Sequence, residues 1–337
     1  MPITSGDFSA SQLAKTVVIA DQMFGDSMLQ ADYKADIAAL TAITQEQNAR
    51  IDVLKDQEKD REVKIHWINM CANAVEDDDG DDCDLDGPEL GSDSKTYGLN
   101  VKKSFKFTVD EMAFRTNDYN MEQAVAVGFL KADKALCEAM TATTIARIES
   151  FKGTNLVTDG VGTVNAGTTE TDIAAADWNA NLFAHFYRVA KQNDFSNAFL
   201  LSGVNLFEDW IKTKAAQDNS NGKGDSNLYD LMRMYFDIKN IEGVNSPAYK
   251  TYMINRGAIA FAAKNYYGPV PQKFIQQHRY SIQSRFLPNV RFDVHYTNRC
   301  SGETIKHDFK IKTKFDLFIN PTGCDNNKTG VLAFNRV

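Results

Sequence analysis

The chain has 337 residues and a mass of 37.6 kDa, with 43% hydrophobic and 24% charged side chains. That mix belongs to a folded protein with an ample core and excludes a small disulfide scaffold or a disordered tail. The formal charge is −8, yet residues 76–93 hold ten acidic side chains and no Lys or Arg, and without that segment the chain carries +2. A uniformly basic surface, the footprint of most dedicated nucleic-acid binders, is therefore excluded, and so is an apolar run long enough to span a bilayer.

The N-terminus, MPITSGDFSASQLAKTVVIADQMF, has no basic region followed by a continuous apolar stretch. It does not read as a secretory signal, and cytoplasmic synthesis is expected. Five cysteines, Cys71, Cys83, Cys137, Cys300 and Cys324, form no CxxC pair. Cys71 and Cys83 bracket the acidic segment and are candidates for a local disulfide, but free thiols are the expectation for an intracellular chain.

Along the first hundred residues, helical patches alternate with polar stretches, the pattern of an arm rather than a compact domain. Leu13, Val17 and Ala20 follow helical spacing, as do Ile37, Leu40 and Ile43. The period then changes to two. In REVKIHWIN, Val63, Ile65 and Trp67 alternate with Glu62, Lys64 and His66, and further on Phe105, Phe107 and Val109 share one face. These two strands flank an excursion over residues 71–96, whose acids and Gly80, Gly87, Pro88 and Gly91 favour an exposed loop.

A helix is predicted over 121–152, with Met121, Val125, Phe129, Ala132, Leu136, Ala139 and Thr143 along one stripe. Asn120 is placed to cap it with Gln123 three positions on, and Gly153 stands where a C′ glycine belongs. At 1.5 Å per residue it is roughly 45–50 Å long, suited to a structural spine. Gly128 and many small residues interrupt any heptad of large side chains, which argues against a coiled coil.

After a Thr/Gly/Asn-rich stretch at 153–171 the chain alternates helix and strand. Trp178, Leu182, Phe186 and Val189 make a helix face, FLLSG (199–203) is a buried strand, and Leu206, Trp210 and Ile211 begin another helix. A polar loop follows at 215–227, and TYMIN (251–255) running into GAIAFAA reads as a central strand. Finally Val290, Phe292, Val294 and Tyr296 alternate with Arg291, Asp293 and His295. The chain turns at Ser301 and Gly302 and returns through Ile305, Phe309, Ile311 and Phe315, a long antiparallel hairpin. The whole is an α+β chain.

The sharpest local motif is DCDLDG, in which Asp82, Asp84 and Asp86 precede Gly87 at the spacing of a calcium loop's first three ligands and its turn glycine. The twelfth position is Asp93 instead of a bidentate Glu, Pro88 occupies the seventh, and no helix follows. The four aspartates are thus a calcium candidate set against a solvated acidic loop that meets a basic patch on a neighbour. No other cofactor is indicated. The five histidines lack a neighbouring nucleophile motif, and GxSxG, HExxH and GxxxxGK[ST] do not occur, so no catalytic residue is assigned and an enzyme is not expected. Gly160, Gly162 and NGKG (221–224) lack the preceding strand of a phosphate loop. Between Lys264 and Lys314 ten Lys or Arg face Asp293, Glu303 and Asp308, a local charge of +7. That tract is either a surface facing phosphate or a neighbour's acidic loop, or the polar side of an antiparallel sheet.

An arm, an extended hairpin with a long loop, one spine helix, a mixed α/β lobe and a returning antiparallel sheet together resemble the major capsid protein of tailed bacteriophages, whose fold is shared with herpesvirus capsid floors and encapsulins. CDLDGPEL (83–90), KSFKFTVDEMAFRTN (103–117) and the spine MEQAVAVGFLKADKAL look like those of phages infecting Bacteroidetes. The resemblance implies an N-terminal arm at 1–61, an extended hairpin with acidic loop at 62–109, a peripheral domain from 110–154 and 289–337, and an axial domain at 155–288. It further implies self-assembly as hexamers and pentamers into an icosahedral shell, a virion built in the host cytoplasm, and enclosed double-stranded DNA met without sequence specificity. Portal, scaffold or cementing proteins are the implied partners, with no membrane. As a departure from relatives, the residues before the spine leave no room for the large cleaved scaffold that some of them carry, so an unprocessed N-terminus is expected. An encapsulin-like cargo compartment and a calcium-binding surface protein are the alternatives.

Overall fold

The computed structural model describes residues 8–25, 35–47, 49–53, 62–68, 92–114, 120–155, 161–178, 182–195, 197–204, 206–208, 211, 232–243, 250–275, 277–301, 304–320 and 329–337. In chain order its elements begin with α1 (Ala10–Gly25), α2 (Ala38–Glu46), β1 (Arg50–Val53), β2 (Glu62–Ile68), β3 (Ser92–Gly98), β4 (Val101–Asp110) and α3 (Met121–Phe151). There follow β5 (Thr163–Val164), β6 (Thr171–Ile173), α4 (Leu182–Gln192), β7 (Ala198–Ser202), β8 (Arg233–Phe236) and α5 (Ile238–Gly243). The last are β9 (Lys250–Asn255), β10 (Ile259–Lys264), β11 (Gln272–Phe274), β12 (Gln277–Gln283), β13 (Arg291–Ser301), β14 (Thr304–Ile319) and β15 (Val331–Arg336). The chain divides into two units, and α3, β10 and β14 each contribute residues to both.

The first unit takes Met1–Ile37, Gly98–Thr143 and Ala262–Asp316. Its sheet runs β10-β14-β13-β12-β11, with β4 added on β14. The hairpin read from the alternating C-terminal residues is present: β13 and β14 pair antiparallel with Val294 opposite Ile311 and Tyr296 opposite Phe309. Their apolar phase forms an inner face on which Phe107 stacks against Phe309 at 4.9 Å and 11°, and Phe129 of α3 meets both rings edge-on. The helix approaches this face most closely at Gly128, where a Cβ would lie 2.4–2.8 Å from three atoms of the Phe107 ring. The glycine that breaks the heptad is the one that admits the ring.

Both ends of the N-terminal region are anchored locally. Asn120 and Gln123 close a reciprocal capping box on α3, side chain to amide at 2.8 and 3.1 Å, and Ser9 and Gln12 do the same for α1. Leu13, Thr16 and Ala20 of α1 are fully buried, and the Phe8 amide donates to the Tyr296 hydroxyl at 3.0 Å while its ring packs on His307. This apolar stripe, expected in an arm, therefore has its partner within the chain's own first unit.

The second unit takes Ala38–Tyr97, Thr144–Phe261 and Leu317–Val337. Its main sheet has the order β5-β6-β15-β9-β7-β8, and a separate sheet has β1-β2-β3. Leu182, Phe186, Val189 and Ala190 of α4 pack with Leu200, Met253, Leu332 and Phe334 of the sheet into one core, the Phe186 and Phe334 rings 4.8 Å apart. The expected helix at 206–211 is helical at 206–208 and 211, and Trp210 lies outside the described residues, as do 215–227.

Three pairings differ from the sequence expectations. The partners of β2 are β1 and β3, whereas β4, expected to return beside β2, pairs with β14, Phe105 opposite Ile311 and Phe107 opposite Phe309. Matching aromatic faces decide this, and the short polar strands RIDV and SDSKTYG carry no apolar period, so in the sequence β3 is indistinguishable from a loop through residue 96. The second difference is β15, expected with the sheet of 289–337. It lies instead between β6 (parallel) and β9 (antiparallel), because Val331 to Phe334 are buried in succession, as befits an internal strand covered on both faces. Conversely β12, within the stretch expected as the lobe, pairs with β13. Third, Gly153 does not adopt the left-handed C′ conformation; its amide donates to the Val331 carbonyl at 2.8 Å, so tertiary pairing replaces a local cap.

Candidate functional site

Seven of the ten basic residues between 264 and 314, all but Lys264, Lys273 and Arg285, fall on a single face of the first unit's sheet. Strand periodicity turns Phe292, Val294, Tyr296, His307, Phe309 and Ile311 inward. Arg291, Asp293, His295 and Arg299 of β13, and Lys306, Asp308, Lys310, Lys312 and Lys314 of β14, therefore share the other face. Register adds Arg279 from β12 and, from β4, Lys102 and Lys106. One row crosses four strands: Lys106 opposite Lys310, Lys310 opposite His295, His295 opposite Arg279. Lys102 stands opposite Lys314 in the same way.

The two acids on the central part of this face are engaged elsewhere. Asp308 accepts from Arg299 and Thr108, both at 2.6 Å, and Asp293 accepts the amides of Tyr266 and Tyr267 at 2.9 and 3.2 Å. Among the described residues, neither Lys106 nor Lys310 has a carboxylate partner. Lys314 sits 4.1 Å from the Tyr266 ring centre and donates to its hydroxyl at 2.9 Å. The Arg279 guanidinium lies 5.8 and 5.2 Å from the rings of Tyr267 and Phe274. Burial, reinforced by Lys312, Arg279 and Lys310, pushes His295 down to about 4, so its imidazole is neutral at physiological pH. Burial also lowers Lys312; Asp293 opposes this, and the neighbouring cations add to it. A cavity of about 410 Å³ opens on this face, bounded by side chains including Lys106, Gln277, His295, Asp308, Lys310 and Lys312.

Two further charge clusters bind the units internally. In the first, buried Asp133 accepts from the Ser284 hydroxyl at 2.7 Å and the Arg285 amide at 2.8 Å, while Arg285 pairs with Asp21 at 2.7 Å. Burial raises the Asp133 carboxyl against these hydrogen bonds. In the second unit Lys152 and Lys250 each bridge Glu149 and Glu170 at 2.5–2.8 Å, and Tyr252 donates to Glu149 at 2.6 Å. Burial pushes Glu149 up, but the hydrogen bonds from Lys152, Lys250 and Tyr252 together outweigh it and hold the carboxyl at about 2.

Of the calcium candidates, Asp82, Asp84 and Asp86 lie outside the described residues, together with Cys71, Cys83 and Cys324; Asp93 falls in β3, its side chain undescribed. Among the described residues no group of three or more His, Cys, Asp or Glu is placed to hold a metal ion. The sequence reading located the basic tract but missed Lys102 and Lys106. Their signal was KKSFK, which sets them on the polar phase opposite Phe105 and Phe107.

No family model and no curated protein sequence matches the chain. Among solved structures, a chain of the cyanophage A-1(L) capsid asymmetric unit matches with a TM-score of 0.53 at 11% identity, covering 82% of this chain and 88% of that one. A chain of the bacteriophage PhiM1 mature capsid matches at 0.44 and 9% identity over 82% of each, and one from Mycobacterium phage Che8 at 0.44 and 13% over 82% and 84%. With the cyanophage likeness running through both units, the chain carries the α+β fold of a phage capsid chain.

Proposed function

We propose that this chain is the major capsid protein of a tailed phage, assembling as hexamers and pentamers into a shell around double-stranded DNA. The observation that carries this is the likeness to the cyanophage capsid chain, which spans 82% of the chain and 88% of its counterpart. The internal chemistry agrees: partly buried charges form reciprocal pairs such as Lys152 and Lys250 with Glu149 and Glu170, which hold secondary structure together. Function then resides in surfaces between copies, with portal, scaffold and cementing proteins as further partners.

In this proposal the sheet of the first unit and the start of α3 act as the peripheral domain, and the sheet of the second unit with α4 acts as the axial domain around five-fold and six-fold centres. The runs at 83–90 and 103–117 look like those of phages infecting Bacteroidetes, which is the source this proposal takes, with assembly in the host cytoplasm. Expression followed by sedimentation and light scattering tests the assembly. Particles of several megadaltons that lack a co-purifying enzyme support a capsid, particles loaded with one cellular enzyme support an encapsulin-like compartment, and a persistent monomer refutes both.

A further inference from the structure

The row Lys106, Lys310, His295, Arg279 asks for an explanation that strand pairing does not give. Side chains directly opposite in an antiparallel pair have Cβ atoms about 5 Å apart, and like charges there are destabilising. Lys106 and Lys310 nevertheless face each other, their row is continued by a neutral imidazole whose Nε2 is buried without a hydrogen-bond partner among the described residues, and a cavity of about 410 Å³ lies over them. Along β14 cations recur every second residue, at Lys310, Lys312 and Lys314, and Lys106 and Lys102 stand opposite the first and last of these, with Ser104 opposite Lys312. That repeat is about 6.8 Å, comparable with the separation of successive phosphates along an extended nucleic-acid strand. At the edge of the row stand the rings of Tyr267 and Phe274, the latter 42% exposed, holding Arg279 by its faces.

We propose that this face binds the phosphodiester backbone of nucleic acid, with Lys106, Lys310 and Lys312 contacting phosphate oxygens and the aromatic edge at Tyr267 and Phe274 lying against sugar or base. Repeated lysines beside the exposed Phe274 ring and the half-buried Tyr267 ring suit a polymer of phosphates with flat bases better than an acidic protein segment, which needs only the charge. Binding is sequence-independent, since nothing on the face is arranged to read base edges. The proposal rests on the shell reading for the polymer it meets inside the particle, but the geometry and the test stand apart from it.

The test is fluorescence anisotropy of the full-length protein against a labelled 20-base-pair duplex, the corresponding single strand, and a labelled peptide of residues 76–93, each over a salt series. The expected result is salt-sensitive binding of the nucleic acids, the duplex and single-strand arms telling which form is preferred. Lys106→Gln with Lys310→Gln should weaken it about tenfold and reduce the salt slope by about two. Lys131→Gln with Lys191→Gln, which removes exposed charge elsewhere, should change it less than twofold. Because the first pair relieves like-charge repulsion, its melting temperature should equal or exceed that of the parent, so weaker binding is not a folding defect. Nucleic-acid binding unaltered by Lys106→Gln with Lys310→Gln, or absent altogether, overturns the proposal. So does a loss confined to the acidic peptide, which would assign the face to a neighbouring subunit's acidic segment. Particles that assemble without this binding would leave the shell reading standing, whereas binding by a chain that never assembles would do the reverse.

Discussion

Gly128→Ala sets two effects of opposite sign against each other. In an exposed helix interior, alanine is favoured over glycine by about 1 kcal/mol. Here the new Cβ falls 2.4, 2.5 and 2.8 Å from three atoms of the Phe107 ring, closer than carbon atoms can approach. The ring has little room to retreat: it stacks on Phe309 at 4.9 Å and meets Phe129 at 5.9 Å. Relief requires α3 to lift or β4 to shift on β14, and overpacking of this kind costs about 1–3 kcal/mol, occasionally more. The clash offsets or outweighs the propensity gain, and the net expectation is a loss of up to about 2 kcal/mol, or roughly 6 °C in melting temperature at most. Thermal and urea unfolding of unassembled subunits should be followed by far-ultraviolet circular dichroism, because the described tryptophans, Trp67 and Trp178, belong to the second unit. In a Phe107→Leu background the same alanine should be neutral or stabilising, giving a coupling of about 2 kcal/mol in the double-mutant cycle. A Gly128→Ala protein that melts above the parent would refute the packing described for α3.

Two further predictions follow from the local chemistry. Glu149 is held at about 2, below its ordinary 4.5, so the stability it contributes is present above about pH 5 and is lost as the pH falls toward 2. Glu149→Gln should lower stability at pH 7 by about 1–2 kcal/mol, Lys152 and Lys250 keeping Glu170. It should also flatten the fall in melting temperature between pH 5 and 3; an unchanged acid profile counts against the network. Asn120→Ala removes the side-chain half of the capping box on α3 and should cost about 1 kcal/mol, with Asn120→Ser recovering most of it in the same melts.

What was legible in the sequence followed the strength of its period. The 31-residue α3, the alternation of Val63, Ile65 and Trp67, the face of α4 and the β13–β14 hairpin each carry an uninterrupted pattern, and each is present. β1 and β3 were invisible because RIDV and SDSKTYG have too few apolar residues to show a phase. A period also does not name its partner. The phase of Phe105 and Phe107 marked β4 as a strand, but only the aromatic match two hundred residues away assigned it to β14. The same limit hid the functional face: its β13 and β14 lysines and arginines form a visible basic tract, whereas Lys102 and Lys106 join them through register alone. Gly128 shows the reverse. Its presence was read as damage to a heptad, and the ring it accommodates lies on another element.

Whether this chain builds a closed shell is tested by negative-stain electron microscopy of the purified recombinant protein. Shells, tubes, or five- and six-membered rings, in which the subunits are related by rotation about common centres, are expected. A monodisperse monomer that remains so at high protein concentration, with crowding agent and across a salt series, would contradict the shell reading.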